Sequence, residues 1–558
     1  MNKILDNEYY DLIISNSLVP GFDTENNITA LNDNYSLLHI RKNNMDACDL
    51  GRYPYDNFPS LFTLTSKVSM EKSGIASVRR HPDLNLMGLG VVIGIIDTGI
   101  DYQHPAFKNH DGTTRIYSIW DQTDQTGMPP KDFSFGSEYT KKHINAALKS
   151  NAPLSIVPTF DNYGHGTAIA SIISGTPDEK NSFTGVVPQS ELIVVKLKEA
   201  KQNLKSLFFA PENVLCYQES DIMLGIRYLL SVSEKADLPL IICIALGSNQ
   251  GGHDGLGVIS SYLEHIVQLP RTNVLVAAGN EGNSRRHYYH HSKVAPLCNG
   301  FNLKIGRNDK KFTMEIWPFP PGKVSIEIFS PNREIIQSIS PSAGVCQKFS
   351  LSMGQTTIWI NNILLEGSTG DQVILVRFDN PIPGIWYFQV SSIENEPFSF
   401  HTWLPSGNLI SNETFFYQAN QSTTITAPGN ARNPLTVAAY NQFDGSILGE
   451  SGRGFSRFGQ INPDIAAPGY QIPCALPGNQ YGSLTGTGAA AAHAAGASAM
   501  VMEWGYCKGN HTTVTGLQIN HMIMRGAQRD STTYTYPNDN WGYGQVDVYK
   551  LFQRISII

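Results

Sequence analysis

The sequence predicts an α/β fold: a parallel sheet covered by helices on both faces, with a small α+β module ahead of it and an all-β module inserted into it. Three observations predict this. Unbroken apolar runs such as VVIGIID, ELIVVKL, LPLIICIAL and NVLVAAG recur before residue 300, and strands buried on both faces are apolar throughout rather than alternating. Helical stretches, HGTAIASIISG and ESDIMLGIRYLLSVSEKA, lie between these runs in strand–helix–strand order. From about residue 301 to 424 the texture changes to short alternating segments broken by Pro, Gly and Asn, the pattern of an antiparallel β-sandwich.

Taken in order, residues 1–66 mix short β-rich runs (DLIIS, YSLLHI, SLFTLT) with polar and turn residues and form the leading module. Residues 67–300 hold the first part of the parallel sheet. Residues 301–424, with KFTMEIWPF, KVSIEIFS, TTIWINNIL, DQVILVRF, GIWYFQVSS and FSFHTWLP, form the inserted sandwich. Residues 425–558 return to the α/β texture with LTVAAY, PDIAAPG and the small-residue helix GAAAAHAAGASAMVMEW, which is thin enough to pass through a core. No internal repeat or low-complexity tract suggests a solenoid or a long linker.

With 558 residues, 41% of them hydrophobic and 16% charged, the chain is expected to bury a large core in two or three structural units. The net charge of −7 argues against a general nucleic-acid or anionic-membrane binder, which would carry a basic surplus. No apolar run approaches the roughly 20 residues that span a bilayer, and the start MNKILDNEYYDL lacks the layout of a signal peptide. The expectation is a protein that stays in the cell that makes it. Seven cysteines lie far apart with no metal-ligand spacing, so they read as reduced thiols, and neither a metal nor a cofactor is expected.

Four segments carry chemistry. In GVVIGIIDTGIDYQHPAF a buried strand ends at Asp97, where α/β sheets place reactive groups, although Asp and Gly also make ordinary strand-ending turns. His165 in DNYGHGTAIASIISG starts a small-residue helix; a lone histidine is more often structural. Asn280 in NVLVAAGNEGN follows another strand, and its amide suits a developing oxyanion, while Asn beside Gly commonly just turns the chain. PDIAAPGYQI and YGSLTGTGAAAAHAAG bring a glycine turn into the start of a helix, whose simplest explanation is close helix packing.

Singly these are modest, but their order closely resembles the subtilisin-like (subtilase) family of serine proteases, whose catalytic order is Asp, His, Ser. The resemblance implies a subtilisin-like sheet, with Asp97 as the orienting aspartate, His165 as the general base and Asn280 as the oxyanion-hole donor. Ala245, Leu246 and Gly247, in the run IALG, match the family's substrate-binding strand. The family's nucleophile block reads Gly-Thr-Ser with a proline four residues after the serine. Here Gly486, Thr487 and His493 hold their places, but Gly488 replaces the serine and Ala492 the proline. Glycine offers His165 no hydroxyl, so no acyl-enzyme forms.

Within the family, the stretch from His104 to Thr140, the inserted module, which resembles a jelly roll, and the leading module, which resembles a prodomain, are similar to the Csp proteins of spore-forming clostridia. That resemblance implies a CspC- or CspA-like pseudoprotease in the spore, with residues 1–66 a retained prodomain. Its expected partners are a sibling Csp protease or pseudoprotease and a small germinant such as a bile salt or amino acid, with no nucleic acid and no membrane span. The sibling protease would in turn activate a cortex-lytic hydrolase. Three alternatives stay open: an active endopeptidase with a displaced nucleophile, such as Thr487 or Ser483, a deliberate removal of the serine, and a purely structural spore protein that kept the fold because it is stable. Engineered removals usually use Ala, and the further change at Ala492 speaks for natural drift.

Overall fold

A computed structural model describes residues 2–21, 27–42, 50, 53–64, 73, 75–292, 297–342, 346–351 and 355–555. Its organising element is an eight-stranded sheet in the order Ile465–Pro468, Leu435–Tyr440, Thr272–Ala277, Leu240–Ile244, Val92–Asp97, Glu191–Lys196, Ile116–Asp121 and Ser137–Thr140. Neighbours are parallel except for the last pair, Ile116–Asp121 with Ser137–Thr140.

The unbroken apolar runs become intelligible here, because a strand turns alternate residues to opposite faces and both faces are covered. Ile93 and Ile95, Leu192 and Val194, Ile241 and Cys243, and Leu275 and Ala277 enter one core, beneath the helices His165–Ser174 and Thr487–Met502. Val92 and Ile96, Ile193 and Val195, Leu240 and Ile242, and Val274 and Val276 enter the other, beneath Glu219–Ala236 and Val258–Ile266. Every residue of Thr487–Met502 is buried. Small residues allow that, and at Gly496 a Cβ would stand 2.3 Å from Val186 Cγ1.

Two further antiparallel sheets pack as a sandwich around a core of residues such as Phe301, Phe312, Phe378, Trp386 and Phe388. One has six strands and runs from His287–His291 through Ser399–Trp403 and Lys311–Pro318 to Cys346–Ser350; the other has five and is centred on Gly384–Ser392. A boundary at residue 301 cuts the strand Cys298–Ile305 and leaves out His287–His291. That boundary is corrected to about residue 287. HYYHH lacks alternating apolar residues, so the sequence gives no strand signal there.

The leading module has a three-stranded sheet in the order Tyr9–Ser15, Tyr35–Arg41, Ile28–Ala30, and a further strand, Leu61–Leu64. An α+β module was expected, yet residues 2–64 contain only strands and 3₁₀ turns among the described residues. The module is wedged against both other parts. Asp11, fully buried, accepts from His39 Nδ1 at 2.7 Å, from Lys201 Nζ at 2.8 Å and from Gln218 Nε2 at 3.2 Å. Tyr55 donates to Glu315 of the sandwich. The expectation of seven reduced thiols is also corrected: Cys346 is disulfide-bonded, while Cys216, Cys243, Cys298, Cys474 and Cys507 are free and Cys48 lies outside the described residues. Widely separated cysteines in a sequence say nothing about which of them the fold brings together.

Candidate active site

Asp97 is the last residue of its strand and His165 the first of its helix, so both stand at the carboxyl edge of the parallel sheet. Close packing brings them together. At Gly166 a Cβ would sit 2.2 Å from the Gly99 carbonyl and 3.1 Å from Asp97 Cβ, so the helix start can lie against the strand end only because that residue is glycine. His165 Nδ1 is then 2.8 and 2.9 Å from the two oxygens of Asp97, the carboxylate accepting from it. Burial pushes the imidazole toward its neutral form, but the charge and hydrogen bond of Asp97, with the charge of Asp161, outweigh it and raise the His165 pKa above its ordinary value. A bond at Nδ1 fixes the neutral tautomer with its lone pair on Nε2, the proton-accepting end of a general base. Nε2 is buried and has no hydrogen-bond partner among the described residues.

Sequence reasoning missed Asp161, which holds this geometry. Its Oδ1 accepts from the Thr98 hydroxyl at 2.7 Å and from the Gly164 amide at 2.8 Å. Its Oδ2 accepts from the Thr167 amide at 2.9 Å and hydroxyl at 2.8 Å. The Thr98 hydroxyl in turn accepts from the Gly166 amide at 2.9 Å. One buried carboxylate thus ties the end of the Asp97 strand to the first turn of the His165 helix, whose free amides favour negative charge. The signal available was an Asp four residues before His165, followed by Gly164 at φ 80°.

Asn280 lies three residues beyond the strand Thr272–Ala277. Its Oδ1 accepts from the amide and from the hydroxyl of Thr487, each at 3.1 Å. The carboxamide is therefore pinned to the start of the helix Thr487–Met502 by its oxygen, which leaves its –NH₂ as the donating end. Gly488, the second residue of that helix, is buried. Farther along, His493 is wholly buried and hydrogen-bonded to Ser73, and burial holds its imidazole at about 3.

Leu246–Gly247 forms a short strand, whereas Ala245 packs into the core. The leading module's Leu61–Leu64 pairs antiparallel with it, Leu64 opposite Leu246 and Thr63 opposite Gly247. On its other side Leu61–Leu64 pairs with Tyr217–Gln218, so the segment is the middle strand of three. Thr426, also missed, shapes this floor: a Cβ at Gly247 would stand 2.2 Å from its hydroxyl and one at Gly279 2.4 Å, so both must be glycine. A cavity of about 980 Å³ continues from Leu64 and Gly247 past Asn280 to the sandwich loop at Asn412.

Among the described residues no group of three or more His, Cys, Asp and Glu side chains is arranged to hold a metal ion, and no helix is long and apolar enough to cross a membrane. The arrangement comprises an oriented imidazole, an amide donor and a strand that binds an extended peptide, the elements of acyl transfer without a hydroxyl at residue 488.

Residues 88–299 and 403–544 match the peptidase S8, or subtilase, family. Among solved structures, the CspB protease of Clostridium perfringens superposes with a TM-score of 0.77 at 28% identity, covering 87% of this chain and 96% of that one. Thermitase of Thermoactinomyces vulgaris is 31% identical over 143 residues, 24% of this chain and 44% of its own length. The subtilisin-like protease SBT2.2 of Arabidopsis thaliana is 32% identical over 125 residues, 20% of this chain and 15% of its own length. The match thus spans less than half of either relative. With the family matched over more than half of the chain and the CspB structure over most of it, the protein belongs to the subtilase family, in its Csp branch.

Proposed function

We propose that the chain is a pseudoprotease: a subtilase scaffold that binds rather than cuts, regulating a sibling Csp protease during spore germination in response to a germinant. The observation that carries this reading is Gly488 at the nucleophile's position in the block Gly486 to His493, with His165 Nε2 left without a partner among the described residues. Removing the serine of a subtilisin triad costs about 10⁶ in rate, which leaves nothing useful as protease activity. Thr487 is a poor substitute, because its hydroxyl already donates to Asn280. A misplacement of about 1 Å from the attacking position costs roughly a hundredfold by itself.

The pairing of Leu61–Leu64 with Leu246–Gly247 supports a second part of the proposal, that residues 1–66 act as a retained prodomain whose end fills the cleft as a bound product would. Self-removal of that segment needs the absent hydroxyl. Fluorophosphonate labelling of the purified chain tests the chemistry: no label is expected under conditions that label an active subtilase, and stoichiometric labelling would overturn the reading. The regulatory part is tested by titrating candidate germinants and the sibling Csp proteins. Binding to none of them would leave a purely structural spore protein as the better account.

A further inference from the structure

We propose that a basic cavity at the last two helices is a binding site for a small organic polyanion, a molecule bearing two or more carboxylates or a phosphate. The cavity holds about 690 Å³, within the range of small-molecule sites, and shares no residue with the Asp97–His165 site. Its lining includes His511, His521, Met522, Arg525, Arg529 and Arg554. On the helix Gly516–Gly526, His521 and Met522 lie four and three residues before Arg525, so each neighbours it on the helix surface, and Arg554, which ends the helix Val548–Arg554, lines the same cavity.

Part of this charge has a structural use. Arg529 donates through Nε to the Tyr543 carbonyl at 2.6 Å and through Nη2 to the Met524 carbonyl at 2.8 Å, and Arg554 donates through Nη1 to the Arg525 carbonyl. The bonds to the Met524 and Arg525 carbonyls satisfy acceptors in the last turn of Gly516–Gly526, where a cation is favourable. Together the three bonds use two of the five N–H groups of Arg529 and one of those of Arg554, and they do not account for Arg525. Three guanidiniums around one helix end repel one another, and among the described residues none of them is ion-paired.

Elsewhere in the chain two buried arginines are matched with acids, Arg286 with Glu281 and Arg457 with Asp254 and Asp371, while buried Arg115 is satisfied by carbonyls and the Thr176 hydroxyl. Acids are not scarce either, since Asp and Glu number 48 against 41 Lys and Arg. What sets this cavity apart is that three arginines without an ion-pair partner among the described residues line it together, and guanidinium forks suit carboxylate and phosphate oxygens. Met522 and Met524 supply an adaptable apolar lining for the carbon frame between the anionic groups.

The test is calorimetric titration of the full chain with citrate and with inorganic phosphate at matched ionic strength, acetate serving as the monoanion control. Saturable one-site binding of citrate or phosphate, but not acetate, is expected, and it should weaken about tenfold or more in Arg525→Gln with Arg554→Gln, two exposed side chains. Should the double variant fold poorly, hydrogen exchange on the unaltered chain gives the same answer: citrate should protect residues 516–529 and 548–555. No saturable heat, equal binding by the double variant, protection confined to other segments, or binding of an acidic peptide alone would each overturn the proposal.

Discussion

The His165 imidazole is the group whose titration reports most directly on the candidate site. Its folded pKa is raised although burial opposes the charge, so the protonated imidazole paired with Asp97 contributes stability. That contribution is full below the unfolded value near 6.5 and is lost as pH rises through the folded value. Asp97→Asn removes the opposing charge and leaves the burial, so the His165 midpoint, followed by NMR, should fall below that of the unaltered chain. An unchanged midpoint would mean that Asp97 does not govern the imidazole. Gly488→Ser tests the same residues as chemistry. Gly488 has helical backbone, so a serine there faces no left-handed strain. Self-cleavage is the activity expected to return, slowly and in part, because tethering the junction beside the cleft supplies roughly 7 to 11 kcal/mol of the barrier. Cleavage of a separate substrate gains nothing from tethering and still meets Ala492 and, on the proposed reading of the leading segment, a filled cleft. The double variant Gly488→Ser with His165→Ala should not cut; if both variants cut equally on a gel time course, a contaminating protease is responsible.

At the scale of elements, the leading module is held by more than its cleft strand. Asp11 is buried and serves His39, Lys201 and Gln218 at once. Breaking a buried pair by removing one partner costs about 3–5 kcal/mol, because the other charge stays buried and unpaired. Asp11→Ala should therefore loosen the module, and limited proteolysis should remove residues before Leu61 much faster than in the unaltered chain. Equal rates would show that the strand pairing alone suffices. The seam between the sheet domain and the sandwich holds a stack of rings, His253 on Trp403 at 4.1 Å and His401 on both Trp403 and His287 at 5.0 Å. Burial pushes His253 down to about 4 and His287 to about 3, and Arg457 nearby opposes the charge on His253 while Asp254 favours it. The unfolded chain takes up these protons first, so the stability of the seam is full above about 6.5 and is lost as pH falls below it. Glu315 and Asp464, pushed up to about 7 by burial, act in the opposite sense, so the whole-protein pH profile is not the readout. The readout is a difference: His253→Gln should lose less of its melting temperature between pH 7 and pH 4.5 than the unaltered chain. An equal loss would exclude His253 as the source.

For the whole molecule, what the sequence revealed was local. Asp97 at a strand end, His165 at a helix start and Asn280 after an apolar run each sit in a short segment whose pattern fixes both element and position. Long-range features were not legible. Asp161 looks like a loop residue until the fold brings Thr98 to it, and the Asp11–Lys201 pair joins residues almost two hundred positions apart. The strand His287–His291 has no apolar alternation: only His287 and Tyr288 of it are buried, and His287 is covered by stacking on His401 and Trp403 of the neighbouring strand. On the proposed pseudoprotease reading, the chain keeps the cleft and its leading segment but lacks the atom needed to cut that segment away. Intact-mass analysis of the freshly purified chain beside Gly488→Ser tests it most directly. The account predicts one full-length mass for the unaltered chain and a partial split just after Leu64 in the variant, whereas two fragments from the unaltered chain, without added protease, would contradict it.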